Sequence, residues 1–202
     1  EWGIPTVHLE CLLYEYLSHL KAKGEFIPTV AMAGGLSLED HVFKAIALGA
    51  PFVKLVCMGR SMMTAAMVGN TIGEMVKNGK VPADIAKYGT DIEHVFILAA
   101  KLKERFGKDF QKIPAGAIGM ITYFDRLNAG LQQLMAGARK FALPYITRDD
   151  LCALTREAAD VSGITYVMET DKEEAEKILG TSQRAHSSHQ TREDSASAAI
   201  AD

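Results

Sequence analysis

The chain contains two glycine turns that could bind an anion. Gly34-Gly35 follows the apolar run 27–33, and Gly59-Arg60 follows the apolar run 52–58. Glycines let a ligand approach the backbone closely, and converging backbone N–H groups together with an arginine can bind a phosphate. The ligand class that these turns favour is a phosphate ester. The candidate binding residues are Gly34, Gly35, Gly59 and Arg60.

Both turns also have a simpler interpretation. Glycine is common in tight turns between a strand and a helix, so each turn could serve only its local backbone. Arg60 could pair with an acidic neighbour on the surface instead of binding a ligand. The two turns can share one phosphate only if both lie at the same edge of a sheet.

The elements around the turns predict that shared edge. Each apolar run is short and β-prone, and a helix that begins near Ser37 and stops at Gly49 lies between them. A strand, a helix and a second strand in this order predict parallel pairing, with both carboxyl ends at one edge. In barrels of alternating strands and helices, the loops after the last two strands often form a phosphate site. We therefore predict an α/β fold that is the C-terminal portion of a (β/α)8 barrel.

The rest of the chain is predicted to be mainly helical. Small residues, among them Gly69 and Gly73, fill the helix predicted over 61–76, so it should approach its neighbours closely. A loop is expected over 114–119 and a short strand over 165–168. Further helices are predicted over 6–22, 82–88, 91–106, 120–141, 147–162 and 172–179. The expected organisation is 1–80 as the last strand–helix units of a barrel, 81–180 as a helical extension and 181–202 as a disordered tail.

Composition narrows the class of protein. A formal net charge of −3 over 202 residues gives no electrostatic reason to bind nucleic acid or an anionic membrane. Charged residues or glycines interrupt every apolar stretch, and no signal peptide is recognisable, so we expect a cytoplasmic protein. Cys11, Cys57 and Cys152 stand far apart in apolar contexts. They are interpreted as packed core thiols, and no metal site is predicted.

Three stretches of the chain carry a family resemblance: IPTVAMAGGLSLEDHVFKAIALGAPFVKLVCMGRSMM, RLNAGLQQLMAGARKF and RDDLCALTREAADVSGITYVM. They resemble the FMN-binding glutamate synthase family, from about Gly3 to about Gly180. The first stretch is similar to the last barrel strands of that family. The remainder is similar to the helical extension of its shorter, stand-alone members.

The resemblance implies a flavin enzyme. It implies that FMN is the cofactor and that the imine formed from 2-oxoglutarate and ammonia is reduced to L-glutamate. Gly34, Gly35, Gly59 and Arg60 match the family's flavin-phosphate cradle by position. Ferredoxin and an NAD(P)H-dependent reductase are both compatible electron donors. The catalytic residues are left unassigned, because the family's earlier strands, which hold the flavin ring and the keto acid, have no counterpart here.

Two departures from the family pattern limit what is carried over. The large glutamate synthases bind an iron–sulfur cluster through three cysteines, and the matching positions here are Arg60, Ala66 and Thr71. These cannot serve as thiolate ligands, so no cluster is predicted in this chain. The earlier barrel strands are expected to come from a missing N-terminal half or from a homo-oligomer. Two alternatives stay open: an FMN barrel with another substrate, and a non-catalytic fragment or interaction module.

Overall fold

The structure, a computed structural model, describes residues 3–180. These residues form two compact units, 3–150 and 151–180. The predicted tail over 181–202 lies outside the described residues. The predicted boundary at residue 80 lies inside the first unit. That boundary separates two parts of the family resemblance and does not separate two compact units.

Helices make up most of the described chain. The first unit contains α1 Thr6–Ala22, β1 Val30–Ala33, α2 Glu39–Leu48, β2 Val53–Cys57, α3 Arg60–Lys77, α4 Ala83–Ala86, α5 Ile92–Val95, α6 Ala99–Phe106 and α7 Ala115–Gly137. It also contains 3-10 turns at Gly107–Lys112, Leu143–Tyr145 and Arg148–Asp150. The second unit contains α8 Arg156–Ser162 and α9 Lys172–Leu179. Within 3–180, no helix is both long and apolar enough to cross a lipid bilayer.

Strands β1 and β2 form a two-stranded parallel sheet, and α2 connects them. The register places Ala33 opposite Cys57, after an irregularity between Val30 and Ala31. Helix α2 buries Phe43 and Ile46. Removing each of these apolar side chains from water contributes roughly 2 kcal/mol to stability. The prediction of a strand–helix–strand unit with parallel pairing is confirmed, and the chain is a mainly helical protein of the α/β type.

Helices α3 and α7 cross with their backbones almost in contact. A Cβ atom added at Gly69 would lie 2.9 Å from the carbonyl oxygen of Ala115, and one added at Gly119 would lie 3.0 Å from the Cα of Gly69. The N–H of Gly116 donates a hydrogen bond of 2.7 Å to Oδ1 of Asn70. The close approach predicted from the small residues of α3 is confirmed.

The helix predicted over 91–106 is in fact two helices, α5 and α6. The chain leaves the helical conformation at Phe96, where φ is −107° and ψ is 115°. Phe96 is buried, and it packs with Leu102, Phe110 and Ile118. Continuing the helix would change the direction of this side chain, so core packing overrides the helical periodicity at this point.

The predicted loop over 114–119 is wrong, because α7 already begins at Ala115. Pro114 precedes the helix and suits its start, since a proline lacks the N–H that an initial position leaves unbonded. Gly116 and Gly119 are contact residues facing α3 rather than turn residues. The same helix ends at Gly137 instead of 141, and Arg139 turns the chain with a φ of 57°.

The helix predicted over 147–162 is also wrong over its first half. The N–H of Thr147 donates to Oδ2 of Asp150 at 2.8 Å, which closes a short 3-10 turn. The helix proper is α8, whose N-cap Thr155 accepts a hydrogen bond from the N–H of Ala158 at 3.1 Å. Both threonines have a capping sequence, and only local geometry distinguishes them. The strand predicted over 165–168 is reduced to one parallel bridge between Ala153 and Tyr166.

Candidate phosphate-binding site

Both glycine turns leave the same edge of the sheet. Ala33 and Cys57 face each other in parallel register, so the residues that follow them emerge side by side. The hydroxyl of Ser61 donates to the carbonyl oxygen of Leu36 over 3.5 Å, a long hydrogen bond that joins the two turns. Both turns therefore lie side by side at one edge of the sheet, as a shared anion site requires.

The first turn needs its glycines for local reasons. Gly34 has a φ of 131° and Gly35 a φ of 70°, a region that favours glycine. A Cβ atom at Gly34 would also lie 2.3 Å from Oγ1 of Thr6. The simpler interpretation, a tight turn between strand and helix, thus accounts for the glycines at 34 and 35 without a ligand.

Gly59 in the second turn has a weaker local reason, because it is the N-cap of α3, where glycine is favoured over alanine and valine. Its φ of −107° is negative, so the backbone there does not lie in the left-handed region that favours glycine. Apart from the two adjacent residues, a Cβ atom added there would meet no atom of the described chain within 4 Å. The glycine at this N-cap also leaves open space directly before α3. A ligand that approaches the backbone at this position would use that space.

The amino end of α3 is suited to an anion. The first N–H groups of a helix have no intrahelical acceptor, and no side chain caps them in α3. The first turn of this 18-residue helix contains no acidic residue, so the positive end of the helix dipole is not neutralised there. Arg60 is exposed, and it forms no ion pair with any residue in 3–180. The alternative of an acidic surface partner for Arg60 therefore has no support in the described part of the chain.

The amino end of α2 is different, because its own residues already neutralise it. Glu39 and Asp40 lie in its first turn. A hydrogen bond of 2.8 Å from Lys44 lowers the pKa of Asp40, so this carboxyl group stays ionised. The helix predicted to begin near Ser37 begins at Glu39 with Leu38 as its N-cap, and the N–H of Ser37 donates to Nδ1 of His41 at 3.2 Å. An anion held between the turns is expected to lie on the α3 side.

Sequence reasoning missed a buried carboxyl group in α1. Glu10 is 3% exposed, and its Oε1 has no hydrogen-bond partner. Burial raises its pKa to about 7, against an opposing effect of Arg148. A Cβ atom at Gly49 would lie 2.7 Å from this oxygen. Because Gly49 precedes β2, Glu10 lies towards the end of the sheet opposite to the glycine turns.

A signal for the burial of Glu10 was present in the sequence. Glu10 shares a helical stripe with Leu13 and Leu17, three and seven residues later. This periodicity places the carboxyl group on the packed face of α1. In the structure, Arg148 lies over the ring of Tyr14, 3.8 Å from its centroid, and donates a hydrogen bond to the carbonyl oxygen of Leu48.

The cysteines are only partly as predicted. Cys11 is buried, whereas Cys57 and Cys152 are exposed, so the prediction of core thiols is wrong for these two. Cys57 ends β2, where the strand leaves the packed part of the sheet. Within 3–180, no three His, Cys, Asp or Glu residues are grouped as a metal ion would need. Ala66 and Thr71, which match cluster-ligand positions of the large glutamate synthases, lie within α3.

The chain was compared with known proteins at the level of families, sequences and structures. No protein-family model, curated protein or solved structure matches it. Function is therefore inferred from the geometry of the two turns and from the resemblance carried by the three quoted stretches.

Proposed function

We propose that this chain provides the FMN-phosphate-binding part of a glutamate synthase-like oxidoreductase. The observation that carries the proposal is the open space at Gly59, beside the uncapped amino end of α3 and at the same edge of the sheet as Gly34-Gly35. A phosphate needs backbone donors, a nearby positive charge and room to approach the main chain. These three features occur together here.

Each residue of the proposed site has a distinct role. The N–H groups of Gly59 and Arg60 would donate to the phosphate, and the exposed guanidinium of Arg60 would add charge-assisted hydrogen bonds. Gly34 and Gly35 would form the opposite side of the cradle. The bound FMN would supply hydride transfer, while the described residues bind and orient its phosphate end.

The fold that we propose for the complete enzyme is a (β/α)8 barrel, with β1 and β2 as its last two strands. The parallel pairing and the placement of the turns support this assignment. Within 3–180, neither outer edge of the sheet is paired with another strand. Further strand–helix units would come from a longer chain or from a second copy of this one, which would supply the contacts to the flavin ring.

The proposed reaction is the reductive amination of 2-oxoglutarate by ammonia to L-glutamate, with electrons from ferredoxin or an NAD(P)H-dependent reductase, in the cytoplasm. This part of the proposal comes from the resemblance of the three quoted stretches. The geometry of the described residues supports only the binding of the phosphate end of the cofactor. An FMN barrel with another substrate therefore stands as the second candidate.

Flavin analysis of the purified protein tests the proposal. We expect FMN to be retained in preference to riboflavin, as measured by absorbance after equilibrium dialysis and by mass spectrometry of the released flavin. A protein that retains neither, or both equally, would contradict the phosphate site. In a full-length protein that contains this segment, oxidation of reduced flavin by 2-oxoglutarate with ammonia, compared with other oxidants, then separates the two substrate candidates.

A further inference from the structure

Three hydroxyl groups from three different helices hold the backbone of the first glycine turn. Each donates to a main-chain carbonyl oxygen of the segment 34–38. The bonds are Thr6 Oγ1 to Gly34 at 3.1 Å, Ser61 Oγ to Leu36 at 3.5 Å, and the Tyr123 hydroxyl to Ser37. The donors lie on α1, α3 and α7 respectively.

Holding these carbonyl groups also fixes the direction of backbone N–H groups. The peptide unit is planar and trans, so the N–H of Gly35 points away from the carbonyl of Gly34 and hence away from Thr6. In the same way, the N–H of Leu38 points away from Tyr123. A turn with two consecutive glycines has much conformational freedom to lose when it binds a ligand. Side chains that fix the turn beforehand lower that loss.

Tyr123 is the more informative donor, because its helix also contacts the element that follows the second turn. Helix α7 packs on α3 through Gly116 and Gly119. The same helix reaches α2 at Glu39, which lies 3.8 Å from Arg126. Helix α7 therefore touches the first turn and both helices that follow the two turns.

We propose that Thr6 and Tyr123 are positioning residues of the phosphate site, whose hydroxyl groups set the direction of the amides of Gly35 and Leu38. This inference rests on the proposed function, since it assigns these amides to a phosphate. Neither hydroxyl is assigned a contact with the ligand. Their effect is exerted through the backbone of the turn.

The test compares hydroxyl-deleting variants with close structural matches. Tyr123→Phe and Thr6→Val each remove one hydrogen bond and little volume. Thr6→Ser keeps the hydroxyl, and Tyr16→Phe removes a hydroxyl from an exposed tyrosine of α1. The affinity for FMN, for inorganic phosphate and for riboflavin is measured by titration calorimetry. Amide hydrogen exchange over 34–38 is measured without ligand.

We expect Tyr123→Phe and Thr6→Val each to weaken FMN and phosphate binding about three- to tenfold, the range expected for one hydrogen bond. Riboflavin binding should not change, and amide exchange over 34–38 should accelerate. Thr6→Ser and Tyr16→Phe should behave like the unaltered protein. If the unaltered protein binds FMN and phosphate but both deletions leave these affinities unchanged, the positioning role is wrong and the proposed function stands. If the unaltered protein binds neither, both proposals are wrong.

Discussion

Among the three glycines of the predicted site, Gly59 is the one whose backbone conformation does not demand glycine. The conformation of Gly34 and Gly35 already demands glycine. Position 59 has an ordinary φ and open space where a side chain would begin. This open space lies beside the uncapped amino end of α3, where a ligand can approach the backbone from outside.

Replacing Gly59 by valine should separate ligand binding from stability. The added side chain would occupy the space where the phosphate is proposed to lie, so FMN affinity should fall at least about tenfold. The free energy of unfolding should fall by only about 1 kcal/mol, the cost of a poorer N-cap residue, because a Cβ atom here meets nothing within 4 Å beyond the two adjacent residues. Calorimetric titration and thermal unfolding measure the two quantities.

The matched control for this variant is Gly137→Ala, at the last position of α7. A Cβ atom there also meets nothing within 4 Å, and the position is remote in sequence from both turns. It should leave FMN affinity unchanged. Equal FMN affinity in the Gly59→Val variant and the unaltered protein would remove the main support for the site.

Glu10 should make stability depend on pH. Its pKa is raised from 4.5 to about 7 by burial, although Arg148 acts in the opposite direction. Between these values the folded protein binds more protons than the unfolded chain, so stability falls as pH rises. The contribution of protonated Glu10 is present in full below pH 4.5, and it is lost as pH rises through about 7.

Glu10→Gln should therefore flatten the pH profile of stability. Relative to the unaltered protein, the variant should gain up to about 3 kcal/mol between pH 5 and pH 8, as measured by denaturant unfolding at each pH. Glu15→Gln is the control, because Glu15 is exposed on the same helix. Parallel profiles for the Glu10 variant and the unaltered protein would show that this carboxyl group is not perturbed by folding.

At the scale of elements, the packing of α7 against α3 holds the helix that follows the second turn. Gly69 faces backbone atoms of α7, which cannot rotate away from an added methyl group as a side chain could. Gly69→Ala should therefore reduce the free energy of unfolding by about 2 kcal/mol. Gly137→Ala, the same substitution where no atom is near, should not reduce it. Equal thermal midpoints for the two variants would contradict the close helix crossing.

Local sequence signals predicted the elements well where one signal acted alone. The bounds of α1 and of α9 follow from an apolar stripe or a clear stop, and the small residues of α3 indicated its close packing. The sequence failed where two signals competed. Pro114 with nearby glycines resembles a turn, yet it begins a helix whose glycines serve packing.

The site was predictable in its placement but not in its details. Alternating apolar runs and glycines were enough to predict two turns at one edge. The sequence does not show that Gly34 and Gly35 have a positive φ whereas Gly59 has a negative one; this difference appears only in the structure. The hydroxyl donors Thr6 and Tyr123 lie 28 and 86 residues from their acceptors. Contacts over such distances leave no periodic signal in the sequence.

At the scale of the whole molecule, the open sheet predicts association. Leu55 of β2 is 57% exposed, and within 3–180 each strand has an unpaired outer edge. Such edges tend to pair with further strands. Light scattering coupled to size exclusion should give a mass above the 22.0 kDa of one chain, which decreases on dilution. A monomer at every concentration would favour an independent module over part of a barrel.

The central claim is that backbone amides at the two neighbouring turns bind one phosphate. Amide chemical shifts of the isotope-labelled chain, followed during titration with FMN and separately with inorganic phosphate, test it most directly. We predict that both ligands shift the amides of Gly35, Gly59, Arg60 and Ser61 together, with a single affinity for each ligand. Shifts confined to other parts of the chain, or to one turn alone, would contradict it.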